Sequence, residues 1–229
     1  VVYHMDSLTI LAPAFNEAEN INPFVEHFYP KLQKNWSILF INDGSTDETE
    51  TRLETVVKNY SNISYLNHQK NMGLGRAFAT GFKNIKTDYV ITIDCDLSHT
   101  FSVVEELFIN RNKADIVIAS MGHINSEYSE ASTIRVLIAK LGNFIISKLL
   151  GVRVHEVAGG PRIYKTEVIK DIDIESKGFE SQVEIIKKLA KKGYSFDECA
   201  LFLDKRLYGE SKMSYYRTIL GVIKIILFK

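Results

Sequence analysis

The chain has 229 residues, of which 28 are lysine or arginine and 28 are aspartate or glutamate. This balance gives no bulk attraction for nucleic acid, so we predict no nucleic-acid partner, and the length suits one α/β domain with an appended segment. Two cysteines, Cys95 and Cys199, are too few for a disulfide framework, which predicts free thiols in a reducing compartment.

Apolar runs that end in polar loops alternate with helical patterns in the first half of the chain. Strands are predicted at residues 8–13, 37–41, 63–67, 89–93 and 115–120, with helices beginning near 17, 48, 77 and 103. This alternation predicts an α/β fold with a mostly parallel sheet. Ligands bind beyond the carboxyl ends of such strands, so four polar loops are expected at one edge: 13–17, 43–47, 71–76 and 94–98.

The second half of the chain has weaker signals. A polar loop is expected at residues 122–132, helices at 133–150 and 178–192, and strands at 163–164 and 196–203. Asn16, and either Ser45 or Thr46, are predicted to cap the first two helices. In the tail, the apolar run at 219–228 is too short to span a bilayer, which leaves an interfacial helix or the start of a membrane region.

Two carboxylates follow the strand predicted at residues 89–93. Asp94 and Asp96 come directly after the run Tyr-Val-Ile-Thr-Ile, with Cys95 between them. Carboxylates next to a buried strand are costly unless positive charge meets them, and a hard divalent cation that also carries phosphate oxygens is the best candidate. The alternative is a surface turn, where aspartate is common.

Other polar residues allow two interpretations each. Asp43 either accepts hydrogen bonds from a nucleotide or caps a helix. Glu156 and Glu180 are candidate acids, although a solvated acidic surface is also plausible. Arg206 and Lys212 flank a glycine turn and either hold an anion or form a solvated basic loop. No dinucleotide-binding, Walker or zinc-type spacing is present, which disfavours those classes of enzyme.

The combination of loops resembles family 2 glycosyltransferases with the GT-A fold. The matching loops are 13–17 (Pro-Ala-Phe-Asn-Glu), 42–47 (Asn-Asp-Gly-Ser-Thr-Asp), 71–75 (Asn-x-Gly-x-Gly) and 94–99 (Asp-Cys-Asp-Leu-Ser-His). Residues 159–165, 178–184 and 206–212 resemble the branch of dolichol-phosphate mannose synthases and polyprenyl-phosphate glycosyltransferases. The resemblance runs from about residue 8 to residue 212 and implies a Rossmann-like central sheet flanked by helices.

The resemblance implies inverting transfer of a sugar from a GDP- or UDP-sugar. Mg²⁺ or Mn²⁺ would be held by Asp94 and Asp96, with a further contact from Ser98. The implied nucleotide-sugar-binding residues are Pro13, Phe15, Glu17, Asp43, Gly73, Arg76, Asp94 and Cys95. The implied catalytic residues are Asp96, Glu156, Glu180 and Arg206, and those for the acceptor or its phosphate are Arg135, Arg162, Gln182 and Lys212.

Two acceptor chemistries are open. A polyprenyl phosphate is already anionic at neutral pH and needs little help from a base, whereas a saccharide hydroxyl needs one, either Glu156 or Glu180. A nucleotide-sugar-binding module without turnover is the third alternative. The chain departs from the synthase branch at Met121, where that branch has an arginine, and this bears on the contacts to the donor diphosphate.

The resemblance also implies an organisation of the chain. One GT-A catalytic domain is expected at 6–212, with a nucleotide-sugar-binding half at 6–120 and an acceptor-side half at 121–212. Residues 213–229 would form an amphipathic or truncated membrane-proximal tail. The expected location is cytoplasmic, peripheral at the inner face of the membrane, and the oligomeric state is open.

Overall fold

The computed structural model describes residues 6–128, 133–203 and 215–228, and its centre is a mixed sheet. In this part of the chain seven strands form one sheet in the order β3-β2-β1-β4-β7-β5-β8. They are β1 (Leu8–Ala14), β2 (Trp36–Asn42), β3 (Ile63–Asn67), β4 (Tyr89–Thr92), β5 (Ile116–Ser120), β7 (Arg162–Lys165) and β8 (Phe196–Ala200), while β6 (Glu127–Tyr128) pairs with β9 (Phe202–Leu203). Only β7 is antiparallel to its neighbours, which confirms the mostly parallel sheet.

Helices cover both faces of the sheet. One face carries α1 (Ala18–Phe28), α2 (Thr49–Asn59) and α4 (Phe101–Asn110), and the other carries α3 (Leu74–Asn84), α6 (Thr166–Ile169) and α7 (Ser181–Lys191). Neighbouring residues of β1 alternate between the two faces, with Ile10 packed in the first cluster and Leu11 in the second. Because both faces are covered, the inner strands β1, β4 and β5 are buried along nearly their whole length, whereas β3 and β8 at the edges carry partly exposed polar residues.

The sequence pattern predicts that strand β1 ends at Pro13, and this prediction is wrong. The strand runs to Ala14, and Pro13 is paired in register with Ile41 of β2. The Leu11 carbonyl accepts a hydrogen bond from the Ile93 N–H, so alternate residues of β1 face β4. Pro13 faces that same side, where β4 has already ended, so its missing N–H leaves no ladder bond unmade.

The predicted helix caps are wrong, because Asp47 accepts the first N–H of α2, from Thr49 at 3.0 Å, and also bonds to α1, while Asn16 and Ser45 link the two loops. Asn16 has a left-handed backbone (φ 53°), and its side-chain oxygen accepts the Thr46 N–H at 2.8 Å. The Ser45 hydroxyl accepts the Asn16 N–H at 2.9 Å, and Asp47 accepts the Ala18 N–H of α1 at 3.2 Å. These cross-bonds join the ends of β1 and β2 into one rigid edge.

The remaining helices, α5 (Thr133–Leu150) and α8 (Tyr215–Phe228), present apolar side chains to solvent. On α5 the buried positions include polar Asn143 and Ser147. The apolar spacing therefore predicts the helix correctly, but the apolar face points to solvent instead of the core. The exposed residues are Leu137, Ile138, Leu141, Phe144, Ile145 and Leu149 of α5, and Tyr216, Ile219, Leu220, Ile223 and Leu227 of α8. Within the described residues, no helix combines the length and apolarity needed to cross a bilayer.

Candidate active site

A cavity of about 660 Å³ lies at the carboxyl ends of β1, β2 and β4. It is lined by residues of all four predicted loops and of two further segments, Lys177–Glu180 and the first turn of α8. The lining residues are Pro13, Ala14, Phe15, Glu17, Asp43, Asn71, Gly73, Leu74, Ala77, Asp94, Cys95, Asp96, Lys177, Gly178, Phe179, Glu180, Arg217 and Thr218. The expected meeting of four strand-end loops at one edge is therefore confirmed.

Asp94 and Asp96 line this cavity, and the loop around them is tightly held. Asp96 is buried, and its Oδ1 accepts hydrogen bonds from the Ser98 N–H at 2.9 Å and the Ser98 hydroxyl at 2.6 Å. Leu97 between them has φ 61°, a left-handed conformation that costs an L-residue about 1–2 kcal/mol. Strained backbone of this kind clusters at functional sites, and here it fixes the orientation of the Asp96 carboxylate.

His99 lies behind the aspartate loop and is buried. Burial lowers the pKa of His99 to about 4, and the nearby Asp96 carboxylate opposes that shift. The imidazole is therefore neutral at physiological pH and adds no positive charge that would compete with a cation at Asp96. His99 ends the 94–99 loop of the resemblance, but its burial leaves no signal in the spacing of residues along the chain.

Asp43 holds the glycine loop in place. Its carboxylate accepts the Met72 N–H at 2.9 Å and the Gly73 N–H at 2.7 Å, and His68 Nδ1 lies 2.6 Å from Oδ1. Asp43 therefore caps the loop before α3 rather than helix α2. It also lines the cavity, so a contact from Asp43 to a nucleotide base stays a prediction.

Gly73 allows the two walls of the cavity to meet. Its φ is 94°, and a Cβ at this position would lie 2.3 Å from the Lys177 carbonyl oxygen. The same carbonyl accepts the Gly75 N–H at 3.0 Å. Only glycine fits between these backbones, so residues 177–180 rest directly on the glycine loop and form the second wall.

The two candidate acids have different surroundings. Glu180 lines the cavity, and its Oε1 accepts the Gly178 N–H at 3.1 Å. Glu156 is buried and is not among the lining residues. Burial raises the pKa of Glu156 to about 7, although a hydrogen bond from Asn143 and the charge of Arg162 oppose the shift. Glu156 therefore has a raised pKa but lies outside the cavity, whereas Glu180 lies inside it, where a general base is required.

Comparison with known proteins identifies the fold and the family. Residues 9–173 match the family described as Glycosyl transferase family 2. The chain belongs to glycosyltransferase family 2. This glycosyltransferase has the α/β architecture of the GT-A enzymes, and both the predicted family and the predicted fold are confirmed.

Two curated relatives of this glycosyltransferase are each 28% identical to it. The polyprenol monophosphomannose synthase of Mycolicibacterium smegmatis aligns over 222 residues, covering 90% of this chain and 80% of the relative. The undecaprenyl-phosphate mannosyltransferase of Micrococcus luteus aligns over 216 residues, covering 92% and 88%. A crystal structure of glucosyl-3-phosphoglycerate synthase from Mycobacterium tuberculosis with Mn²⁺, UDP and phosphoglyceric acid has a TM-score of 0.71 at 15% identity, covering 98% and 80%.

Several predicted site residues of this glycosyltransferase lie away from the cavity. The Arg162 side chain is 1% exposed and donates to the carbonyls of Val157, Gly159 and Gln182. Arg76 lines an adjoining cavity of about 430 Å³. The side chain of Arg135 and the whole of Arg206 and Lys212 lie outside the described residues. The acceptor roles of Arg135, Arg162, Gln182 and Lys212, and the catalytic role of Arg206, stay predictions.

Nine lining residues were not predicted as site residues: Ala14, Asn71, Leu74, Ala77, Lys177, Gly178, Phe179, Arg217 and Thr218. Lys177 and Phe179 flank the glycine that opens the segment before α7, and the Gly178–Glu184 resemblance could have pointed to them. Arg217 and Thr218 belong to the tail, which sequence analysis treated only as a membrane-proximal segment. The one sequence signal for Arg217 is a cation within an apolar amphipathic helix, and such a cation is usually solvated.

Proposed function

We propose that this glycosyltransferase moves a sugar, with inversion, from a nucleotide sugar to a polyprenyl phosphate with the help of Mg²⁺ or Mn²⁺. The observation that carries the proposal is that Asp94 and Asp96 share one cavity with Asp43 and the glycine loop. The names of the two mannosyltransferase relatives support a polyprenyl phosphate as acceptor. The Mn²⁺ and UDP in the structurally similar synthase support the donor class and the metal.

The residues present fit a hard divalent cation. Mg²⁺ and Mn²⁺ prefer oxygen ligands, which Asp94, Asp96 and Ser98 offer. Among residues 6–128, 133–203 and 215–228, no group of three or more His, Cys, Asp or Glu side chains is arranged to hold an ion. Asp94 and Asp96 would hold the ion, with Ser98 beside them. When bound, the ion stabilises the negative charge of the leaving nucleoside diphosphate.

The transfer exchanges one carbon–oxygen bond for another. An oxygen of the acceptor phosphate forms a bond to the anomeric carbon, and the bond from that carbon to the diphosphate oxygen breaks. The electron pair of the broken bond leaves on the nucleoside diphosphate, and attack from the opposite side inverts the anomeric centre. An ionised phosphate oxygen carries no proton, so the protein's task is to hold the two anionic substrates in line rather than to supply a base.

Transfer to a saccharide hydroxyl is a second candidate function, which the position of Glu180 favours. A hydroxyl must lose its proton as it attacks, and Glu180 supplies a carboxylate within the cavity. Replacement of Glu180 by Gln separates the two candidates. The hydroxyl reaction would lose at least about a hundredfold in kcat, which is the lower range for a general base. The phosphate reaction would keep most of its kcat.

The first experiment identifies the donor. GDP-, UDP- and dTDP-sugars are each added with Mn²⁺, and the melting temperature of the protein is recorded, since a ligand that binds only the folded state raises it. The most stabilising donor is then incubated with undecaprenyl phosphate, and the anomeric configuration of the glycolipid is read by NMR. Stabilisation by no member of the panel would count heavily against the assignment.

The second experiment tests the metal and turnover. The variants Asp94→Asn and Asp96→Asn are expected to lose transfer by at least about a thousandfold, because charge stabilisation at the leaving group is a dominant catalytic effect. If transfer persists in both variants with EDTA present, the metal mechanism is wrong. Calorimetric binding of the donor by the wild type without release of nucleoside diphosphate would instead support a binding module without turnover.

We also propose that the protein works as a peripheral protein at the cytoplasmic face of the membrane. The outward apolar face of α5 supports this proposal, because it gives the described part of the chain an exposed apolar surface of the kind that binds a membrane interface. Sedimentation with liposomes tests it. A protein that stays in the supernatant at every lipid composition would contradict membrane attachment.

A further inference from the structure

Helix α8 is attached to α7 at several points along its length. Val222 and Ile225 are buried against Val183 of α7. The Lys187 ammonium group of α7 donates to the Ile225 carbonyl at 2.6 Å and to the Ile226 carbonyl at 3.1 Å, which satisfies carbonyl groups near the end of α8. The orientation of α8 about its own axis is therefore determined by packing.

Gly221 brings the first half of α8 against the cavity wall. A Cβ at this position would lie 2.7 Å from Cγ of Glu180, which is itself a lining residue. Residues four apart lie on the same face of a helix, so Arg217, Gly221 and Ile225 form one stripe. Gly221 and Ile225 of this stripe pack against Glu180 and Val183. Arg217, one turn before Gly221, therefore lies at the edge of the cavity and lines it.

Arg217 is one of few cations in a cavity that is rich in carboxylates. Among the described lining residues, five carry carboxylates and only Lys177 and Arg217 carry a cation. The carboxylates are Glu17, Asp43, Asp94, Asp96 and Glu180. Arg217 makes no ion pair within the described part of the chain. The Arg217 side chain is exposed at the cavity, and the planar fork of its guanidinium suits the phosphate group of an anion that enters.

An exposed apolar row starts beside Arg217 and follows the outer side of α8. The residues of this row are Tyr216, Ile219, Leu220, Ile223 and Leu227. A polyprenyl phosphate has the matching structure, with an anionic head joined to a long apolar chain. A nucleotide or a sugar phosphate would match the cation but would leave the apolar row without a partner.

We propose that α8 is the acceptor-binding helix, in which Arg217 holds the phosphate of the lipid acceptor and the apolar row holds its chain. The inference rests on the proposed function, because it requires a lipid phosphate acceptor. It assigns the tail a direct part in the reaction. The phosphate oxygen is held at the edge of the cavity that contains Asp94 and Asp96, so the nucleophile and the donor meet there.

Kinetics with two acceptors test the head contact. Undecaprenyl phosphate and geranyl phosphate are each titrated in detergent at a saturating level of the donor identified above. In Arg217→Gln the KM for both acceptors should rise roughly ten- to a hundredfold, the size expected for a lost charge-assisted hydrogen bond, with the KM of the donor unchanged. Arg217→Lys should recover part of the loss. The matched control is Lys224→Gln, another exposed cation of α8 that does not line the cavity.

Leu227→Ser tests the chain contact. Leu227 lies about 15 Å along the helix axis from Arg217, farther than a geranyl chain extends. The variant should raise the KM for undecaprenyl phosphate by about tenfold, the weaker end of a fully buried leucine contact, and leave that for geranyl phosphate unchanged. Equal effects on both acceptors, or on neither, would overturn the assignment of the apolar row.

The outcomes separate this inference from the proposed function. If the wild type glycosylates polyprenyl phosphates and Arg217→Gln keeps a wild-type acceptor KM, the inference is wrong and the proposed function stands. A rise in the donor KM alone would assign Arg217 to the donor diphosphate and also overturn the inference. An equal loss in Lys224→Gln would assign the effect to general surface charge. A wild type that uses no polyprenyl phosphate at all would overturn both proposals.

Discussion

The two sides of the cavity are built by different means. On the side of β1, β2 and β4, short loops extend from buried strands and are tied together by hydrogen bonds, such as those of Asp43 to the glycine loop and of Ser98 to Asp96. On the side of α8, one helix rests on α7 and turns an apolar row outward. The side of β1, β2 and β4, where we propose that the donor binds (the donor side), therefore depends on fixed geometry, whereas the α8 side depends on the composition of its surface.

The same residue types serve opposite purposes in the two regions. Phe24 of α1 is fully buried and stacks on Phe28, with ring centroids 4.1 Å apart. Phe144 of α5 is 52% exposed, and Lys148 lies over its ring. Burial of apolar area stabilises the fold only in the first case. In the second case half of the ring stays in water, so it adds little to stability.

Exchanging these two phenylalanines for alanine gives the largest contrast. Phe24→Ala removes a ring from a packed core and should lower the free energy of unfolding by about 3–5 kcal/mol. Phe144→Ala should lower it by about 1 kcal/mol or less, because half of the ring is already in water. Urea denaturation of both variants measures the difference. Equal losses would mean that α5 packs as tightly as α1.

The buried Glu156 should make the free energy of unfolding depend on pH. Its pKa is raised from 4.5 to about 7, so its protonated form is favoured in the folded state, and the stability that this provides is lost as pH rises from about 4.5 through 7. Glu156→Gln mimics the protonated form and keeps an acceptor for Asn143. The variant should therefore gain stability relative to the wild type at pH 8, by at most about 3 kcal/mol, and little at pH 5.

Denaturation curves at both pH values measure this effect. Glu105→Gln is the matched control, because Glu105 is exposed and its replacement should leave the difference between the two pH values unchanged. A Glu156→Gln variant whose stability follows that of the wild type at every pH would show that Glu156 is ionised in the fold at neutral pH.

Sequence alone predicts most of the donor side and little of the α8 side. Strand β3 has its predicted bounds, and Asp94 and Asp96 lie at the expected edge, because apolar periodicity and strand-end position are local signals. The position of Arg217 depends on Gly221 meeting Glu180, which is 41 residues earlier in the chain. The antiparallel pairing of β7 with β4 and β5 likewise depends on contacts between segments that are distant in the sequence. No local pattern encodes such contacts.

Asp43→Asn tests how far the donor side depends on its hydrogen bonds. Asparagine keeps one acceptor oxygen, so the Met72 N–H or the Gly73 N–H loses its partner inside the protein. The expected loss is about 1–3 kcal/mol of unfolding free energy, together with weaker binding of the donor nucleotide measured by calorimetry. Weaker binding at unchanged stability would mean that Asp43 acts on the nucleotide alone.

Leu141→Ser on α5 should have the smallest effect on stability and a clear effect on membrane binding. Leu141 is 59% exposed, so its loss should change the free energy of unfolding by no more than about 0.5 kcal/mol. The apolar area that it presents to a bilayer is lost, and the partition coefficient onto liposomes should fall several-fold, since a leucine side chain contributes about 1.5–3 kcal/mol when buried. Glu105→Gln, on the solvent side of α4, should change neither quantity. A variant that loses stability but binds liposomes as well as the wild type would contradict this prediction. In that case α5 would be a core helix that packs its leucines against another part of the chain.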